Sequence, residues 1–345
     1  MYGAGGPFPL IPFRYGPKHL RALGPLTRTP GSVTMASAHP LCYPHPPVCE
    51  PRFLWGAPTA EDHLPVRLIV NADDYGRTAG VAKGILLAHR EGIVTSTTAM
   101  MNMPEIETAL RWARDEPLLG LGVHLVFTAW KPLLPAHRVP SLVDETGQFY
   151  RAEAWHARLE RLEMKELWAE WEAQLALFHQ VAGQPDHIDC HHFVHLYPPV
   201  FETYLRFARE KGLPARIPFP LSDSRGDDAT GLGMSLGLAS QVVAAALQAD
   251  RELVRAIPVR HPDHFRGGFF GDQNLTLEHL LSILADLPDG LAELMVHPGL
   301  ADGELLNTSG YARQRERELE ILCNPLLKRR LVEWGIELVN YGVLQ

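Results

Sequence analysis

From Arg67 onward the chain alternates short apolar, β-branched runs with longer stretches of helical periodicity. Leu68-Ile69-Val70 reads as a strand buried on both faces. The polar turn Asn71-Ala72-Asp73-Asp74-Tyr75-Gly76 follows, and Thr78 stands where an N-cap belongs, ahead of Val81, Ile85, Leu86 and Ala88. Ile93 to Met100 is again β-branched and strand-like, and Pro104 opens a helix over 104–115. Leu119 to Leu125 predicts a third strand with His124 near its end. Residues 126–160 carry Pro132, Pro135 and Pro140 and read as a loop-rich insertion over one face.

The second half repeats the pattern. Met164 to Val181 is a strong helix, with Leu167, Trp171, Leu175 and Phe178 on one stripe. A short strand leads into His187-Ile188-Asp189-Cys190-His191-His192-Phe193-Val194-His195. Then come a helix over Pro199 to Lys211, a short strand at Ala215-Arg216-Ile217, and a Gly- and Asp-rich loop over 220–234. Helices are predicted over Ser235 to Gln248 and Leu277 to Leu287, around a glycine- and aromatic-rich loop at Phe265 to Asn274. The strand Leu291 to Val296 delivers His297-Pro298-Gly299, and two helical stretches divided by Pro325 precede a last strand, Ile336 to Val339. Seven or eight strand–helix units over about 280 residues favour an α/β fold, an irregular (β/α) barrel, over an open doubly wound sheet.

Residues 1–63 do not share this pattern: they are crowded with Pro and Gly and lack periodicity. They are read as a disordered or loosely packed extension, as an upstream start-site artefact with Met35 the true start, or as an arm along a partner subunit of a homodimer. The domain proper is then 64–345. Hydrophobic content of 46% with 21% charged residues suits a sizeable globular core. A net charge of -8 offers no general attraction to nucleic acid or to an anionic membrane. No apolar run is long enough to span a bilayer, and no secretory signal is evident. Four cysteines without CxxC spacing fit a reduced, cytoplasmic setting. No GxGxxG or GxxxxGK[ST] motif supports nucleotide binding.

Candidate chemistry gathers at strand ends, where α/β barrels place their sites. Asp73 and Asp74 follow the first strand, and two adjacent carboxylates repel unless a cation or a shared proton relieves them. They form either a metal-plus-base site or a solvated turn with Asp74 capping the helix. His124, the cluster over 187–195 and His297 stand at three further strand ends. A carboxylate with two imidazoles is a mixed donor set for a divalent ion.

Asn71-Ala72-Asp73-Asp74-Tyr75-Gly76, Gly92-Ile93-Val94-Thr95-Ser96-Thr97, Gly122-Val123-His124-Leu125, the run over 187–195 and Met295-Val296-His297-Pro298-Gly299 occur in this order. Together they resemble the YdjC-like carbohydrate deacetylases, among them the chitooligosaccharide deacetylases, over residues 67 to about 342. The resemblance implies a distorted barrel, one divalent metal (Mg²⁺ or Zn²⁺) and hydrolytic removal of acetyl from an N-acetylated sugar. It makes Asp74, His124 and His191 the metal ligands, Asp73 the general base and His297 the acid. Amide hydrolysis has to protonate a poor amine leaving group, a task that suits an imidazole near its ordinary pKa. Two positions depart from the family run: Cys190 replaces a small hydroxyl residue and Phe193 a third histidine. His195 is then a residue supporting the ligands, and His192 and His187 either join the site or merely pack. Arg216 is a sugar contact, a charge partner of Asp73 or a plain surface arginine. The expected partner is a small-molecule carbohydrate. Two rivals remain: the same chemistry on an N-acetylated glycolipid, and a non-catalytic sugar-binding protein that keeps the metal.

Overall fold

The computed structural model describes residues 65–155, 157–221 and 240–345. The extension expected over 1–63 therefore lies outside the described residues, as do nearly all of the 220–234 loop and the first five residues of the helix expected from Ser235. Among the described residues seven strands form one sheet: β1 (Arg67–Tyr75), β2 (Ser96–Ala99), β3 (Gly120–Leu125), β4 (Ile188–Cys190), β5 (His264–Arg266), β6 (Leu291–Val296) and β7 (Glu337–Val339). The order is β4-β3-β2-β1-β6-β5, with β7 paired to the first three residues of β1, and every ladder is parallel.

Beyond β4, Ala215 makes a parallel bridge to Ile188, and its N–H donates to the Arg260 carbonyl at 2.9 Å. The sheet is thus an incomplete parallel barrel, in keeping with the expected irregular (β/α) barrel. Its helices are α1 (Ala79–Arg90), α2 (Ile106–Ala113), α3 (Met164–Ala182), α4 (Pro198–Lys211), α5 (Ser240–Ala256), α6 (Leu277–Ala285), α7 (Gly303–Thr308), α8 (Arg313–Leu322) and α9 (Pro325–Glu333).

β1 is buried along all but its first residue, as its unbroken apolar run requires. The Thr78 hydroxyl caps α1 by accepting from the Val81 N–H at 3.2 Å, which removes the reading of Asp74 as the cap. Gly84 lets α1 approach the 299–300 backbone, where an added Cβ would lie 2.5 Å from Gly299 Cα. The 126–160 insertion is tied down by α3, whose buried Gln174 and Glu170 satisfy backbone groups of Val126, Leu133 and Leu134 at 2.7–3.0 Å.

Several boundaries differ from expectation. Ile93, Val94 and Thr95 precede β2 rather than belong to it; Ile93 and Val94 are apolar because they are buried where α1 turns into the sheet. Ala215-Arg216-Ile217 forms a single bridge instead of a strand. The helix read as ending at Gln248 continues to Ala256. β5, only three residues long, lies where a loop was expected to begin. Among the described residues no helix is long and apolar enough to cross a membrane.

Candidate metal and hydrolytic centre

The C-terminal end of β1 departs from regular pairing. Its register with β2 shifts between Ala72 and Tyr75, and Asp74 adopts a left-handed φ of +70°. Such a bulge re-aims side chains, and aspartate tolerates the left-handed region better than most residues. The two adjacent carboxylates consequently face different partners.

Asp74 Oδ1 lies 3.3 Å from His124 Nε2 and 3.0 Å from His191 Nδ1, and these two nitrogens are 3.1 Å apart. All three side chains are buried, and Asp74 Oδ1 has no well-aligned hydrogen-bond donor. An ion about 2.1 Å from each of three donors would hold them about 3.0 Å apart at right angles and about 3.4 Å apart at tetrahedral angles. The observed separations fall within that span, so the trio fits a small divalent cation. Burial works against a charged His124, yet the Asp189 carboxylate beside it lifts its pKa to about 10. Burial likewise opposes a charged Asp74, but His191 and Arg315 hold its carboxyl well below the usual range.

Around this trio stands a supporting shell. His124 Nδ1 pairs with Asp189 Oδ1 at 2.6 Å, which turns Nε2 toward Asp74, and the Thr98 hydroxyl donates to Asp189 Oδ2 at 3.0 Å. Asp73 turns the other way, into a bidentate pair with Arg216 (2.7 Å and 2.7 Å). Arg216 is fully buried and also meets Asp189 Oδ2 at 2.8 Å and Glu293 Oε1 at 2.7 Å. Of its readings from sequence, the charge partner of Asp73 stands and the surface arginine falls.

His297 follows β6 with Nε2 4.0 Å from Asp73 Oδ2, and its Nδ1 is buried without a partner. Its pKa departs from the expectation of an ordinary imidazole: burial depresses it, the nearby Asp73 compensates only in part, and the value falls to about 4. His297 is neutral at rest.

The remaining sequence candidates divide. His192 packs on His191 with ring centroids 3.7 Å apart and the rings tilted by 33°, and it meets the Thr128 hydroxyl at 3.1 Å, so it borders the trio. His192 and Phe193 are both left-handed, with φ of 62° and 54°. That strain beside the centre fixes the path of the 191–195 turn. Phe193 packs edge-on to Phe265. His195 makes no hydrogen bond to the trio; it is buried against Tyr204 and Phe201, and neither ring nitrogen has a partner. His187 stacks on Tyr341 at 3.6 Å and pairs with Asp186, a packing role. Cys190 is buried and its thiol is pushed well up, first by burial, which makes it inert.

Sequence reasoning missed four groups. Asp189 stands in the 187–195 run, where the flanking histidines carry the chemical signal and mask it. Glu293 interrupts an apolar strand, Leu-Ala-Glu-Leu-Met-Val, a signal that was there to be read. Arg315 bonds Asp74 Oδ2 from α8, and Glu318 on the same helix accepts the His297 backbone N–H. Both lie in the run Arg-Gln-Arg-Glu-Arg-Glu-Leu-Glu, whose pattern is that of a solvated face.

Comparison with known proteins decides the family. The sequence model of the YdjC-like proteins matches residues 67–333. The chain belongs to the YdjC-like family. A carbohydrate deacetylase of Geobacillus stearothermophilus is 37% identical over 281 residues, which cover 81% of this chain and 98% of that protein. A chitooligosaccharide deacetylase of Yersinia enterocolitica is 36% identical over 279 residues, 80% of this chain and 98% of the relative. A crystal structure from Enterococcus faecalis V583 superposes with a TM-score of 0.68 at 36% identity, covering 81% of this chain and 99% of that one. The YdjC-like match spans every strand but β7 and contains all the residues of the centre.

Proposed function

We propose that this YdjC-like chain is a divalent-metal-dependent carbohydrate deacetylase that hydrolyses the acetamide of an N-acetylated sugar, chitooligosaccharides being the first candidates. The observation that carries the reading is the convergence of Asp74 Oδ1, His124 Nε2 and His191 Nδ1 beside a carboxylate and an imidazole, Asp73 and His297, that stand outside the trio.

Asp74, His124 and His191 would hold the ion, which when bound acidifies water and polarises a carbonyl oxygen. Asp73, held by both nitrogens of the Arg216 fork, accepts the proton of the attacking water. A neutral His297 has to receive the proton that it gives to the departing amine, and Asp73 Oδ2 faces its Nε2. Acetate and the amine leave, the second proton of the water ending on the amine as the ammonium ion, and both side chains return to their starting protonation. A purely sugar-binding protein has no use for such a proton pair. Similarity to named carbohydrate and chitooligosaccharide deacetylases at 36–37% identity supports the sugar class.

The test is acetate release from N-acetylglucosamine, N,N′-diacetylchitobiose, larger chitooligosaccharides and an N-acetylglucosaminyl lipid, with and without chelator. Chelator-sensitive release from the soluble sugars is expected, with about one divalent ion per chain. Release from the lipid alone would move the substrate. No release from any of them, together with binding of the sugar, would replace the enzyme by a lectin.

A further inference from the structure

Beside His297 the 267–271 loop presents two consecutive phenylalanines in opposite senses. Phe269 is fully buried and anchors the loop, whereas Phe270 is 42% exposed. The Phe270 ring stacks on Tyr311 at 4.3 Å with an 18° interplanar angle, and its centroid lies 5.1 Å from the His297 ring. An exposed aromatic ring at that distance from the proposed acid is not accounted for by packing alone.

The ring is also held rigidly. Gly271, at φ +85°, turns the chain and donates its N–H to the Tyr311 hydroxyl at 3.2 Å. Asn274 Nδ2 donates to the Phe270 carbonyl at 2.9 Å, and Gln314 Nε2 to Asp272 Oδ1 at 2.9 Å. Tyr311 donates its hydroxyl to Glu318 Oε1 at 2.7 Å, while Glu318 Oε2 accepts the backbone N–H of His297. One carboxylate therefore sets both the aromatic pair and the acid histidine. The pair is pre-organised relative to the imidazole.

We propose that Phe270, backed by Tyr311, is the platform on which the pyranose ring bearing the acetamide stacks its C–H face, making it the specificity-determining residue for a sugar over other acetamides. The inference rests on the reading of the site given above. His297 reaches the leaving nitrogen at hydrogen-bond distance, about 2.6–3.2 Å. That nitrogen is bonded directly to a ring carbon, which brings the sugar ring within reach of the neighbouring Phe270 face. Aromatic rings present a broad apolar face and lose little side-chain freedom on contact, which suits them to a rigid ring.

The test compares wild type with Phe270→Ala, Phe270→Leu and Phe270→Tyr in the metal-loaded full chain, using diacetylchitobiose. Phe270→Ala is expected to raise KM on the order of 10-fold, with kcat within about twofold. Phe270→Tyr should restore KM, and Phe270→Leu should fall between them. Calorimetric binding of diacetylchitobiose to Asp73→Asn and to the Asp73→Asn/Phe270→Ala double variant reads the same loss without turnover. An unchanged KM and affinity in Phe270→Ala would overturn the platform while leaving the deacetylase reading intact. So would a fall in kcat accompanied by a displaced pH profile, because Phe270 would then serve only to pack His297. If wild type neither cleaves nor binds the sugar, the functional reading fails and the platform with it.

Discussion

Two buried polar clusters lie side by side at the C-terminal end of the sheet, and they differ in how completely they are satisfied. Around Arg216 the cluster is closed: Asp73, Asp189 and Glu293 surround the guanidinium, and Tyr341 donates to Glu293 Oε2 at 2.5 Å. Around Asp74 the cluster is open. Asp74 Oδ1, His191 Nε2, His297 Nδ1, Arg315 Nε and Arg315 Nη1 are all buried without a hydrogen-bond partner. Leaving a buried donor or acceptor unpaired costs about 1–3 kcal/mol, and several in one place would not persist in a purely structural cluster. Asp73 apart, the closed cluster is the frame, and the open one is where the proposed ion, water and substrate would complete the bonding. Asp73 and Asp74, adjacent in sequence, belong to different clusters because of the left-handed turn at Asp74.

The largest effects are expected in the open cluster. His124→Ala or His191→Ala should abolish acetate release and leave the purified protein without its divalent ion, measured by elemental analysis. Full metal occupancy in both variants would show that the trio is not the metal site. Next in size, Asp73→Asn should retain the ion and keep KM nearly unchanged, while kcat falls roughly 10²–10⁴-fold. Metal lost from Asp73→Asn but kept in Asp74→Asn would reverse the two roles. With His297 lowered to about 4, kcat/KM should show no descending limb near pH 6.5, the ordinary histidine value. A clear loss of rate as pH rises through 6.5 would mean that His297 starts the reaction protonated.

For the rest of the closed cluster, where no side chain takes part in the proposed proton transfers, the readout is stability. Arg216→Met leaves the buried Asp73 and Glu293 carboxylates without their cation and Asp189 with His124 alone, and removing one partner of a buried ionic group destabilises by roughly 3–5 kcal/mol. Arg315→Met, in the open cluster, should cost less, because it also removes two buried donors that have no partner. Urea denaturation of the metal-free proteins ranks the two. A larger loss for Arg315→Met would erase the distinction between frame and site.

These clusters also divide what the sequence makes legible from what it hides. Asp73, Asp74, His124, His191 and His297 were visible because each follows a strand pattern, and strand ends are where a parallel barrel presents its chemistry. The frame was half hidden. Arg216 gave no hint of burial from its neighbours, and Tyr341 lies in a tail segment after the last strand. α8 was opaque because its apolar positions are few, so the inward turn of Arg315 and Glu318 is decided by contacts with Asp74 and His297 from distant parts of the chain. β5 escaped for a related reason: three residues flanked by prolines and glycines are too short for periodicity to register.

The smallest effect belongs to His195, which tests whether unpaired polar atoms mark function by themselves. Both its ring nitrogens are buried and unpartnered, as in the open cluster, yet the ring packs on Tyr204 at 4.7 Å and His195 belongs to neither group of side chains able to hold a metal ion. Burial lowers its pKa from 6.5 to about 3, so the folded protein keeps it neutral where the unfolded chain would bind a proton. The sign follows directly. Stability from this residue is complete above pH 6.5 and is lost progressively as pH falls toward 3, at up to about 1.4 kcal/mol per pH unit. His195→Phe removes both the unpaired nitrogens and the titration, against a modest packing cost. Activity should stay within about twofold of wild type, stability at pH 7 within roughly 1–2 kcal/mol, and stability between pH 6.5 and 4 should decline less steeply. Retained activity would show that convergence of unpaired atoms on a common point, rather than their mere presence, distinguishes the site from the core. Loss of activity with metal still bound and the fold intact would instead place His195 in the catalytic arrangement, and the boundary between open and closed clusters would have to be redrawn around it.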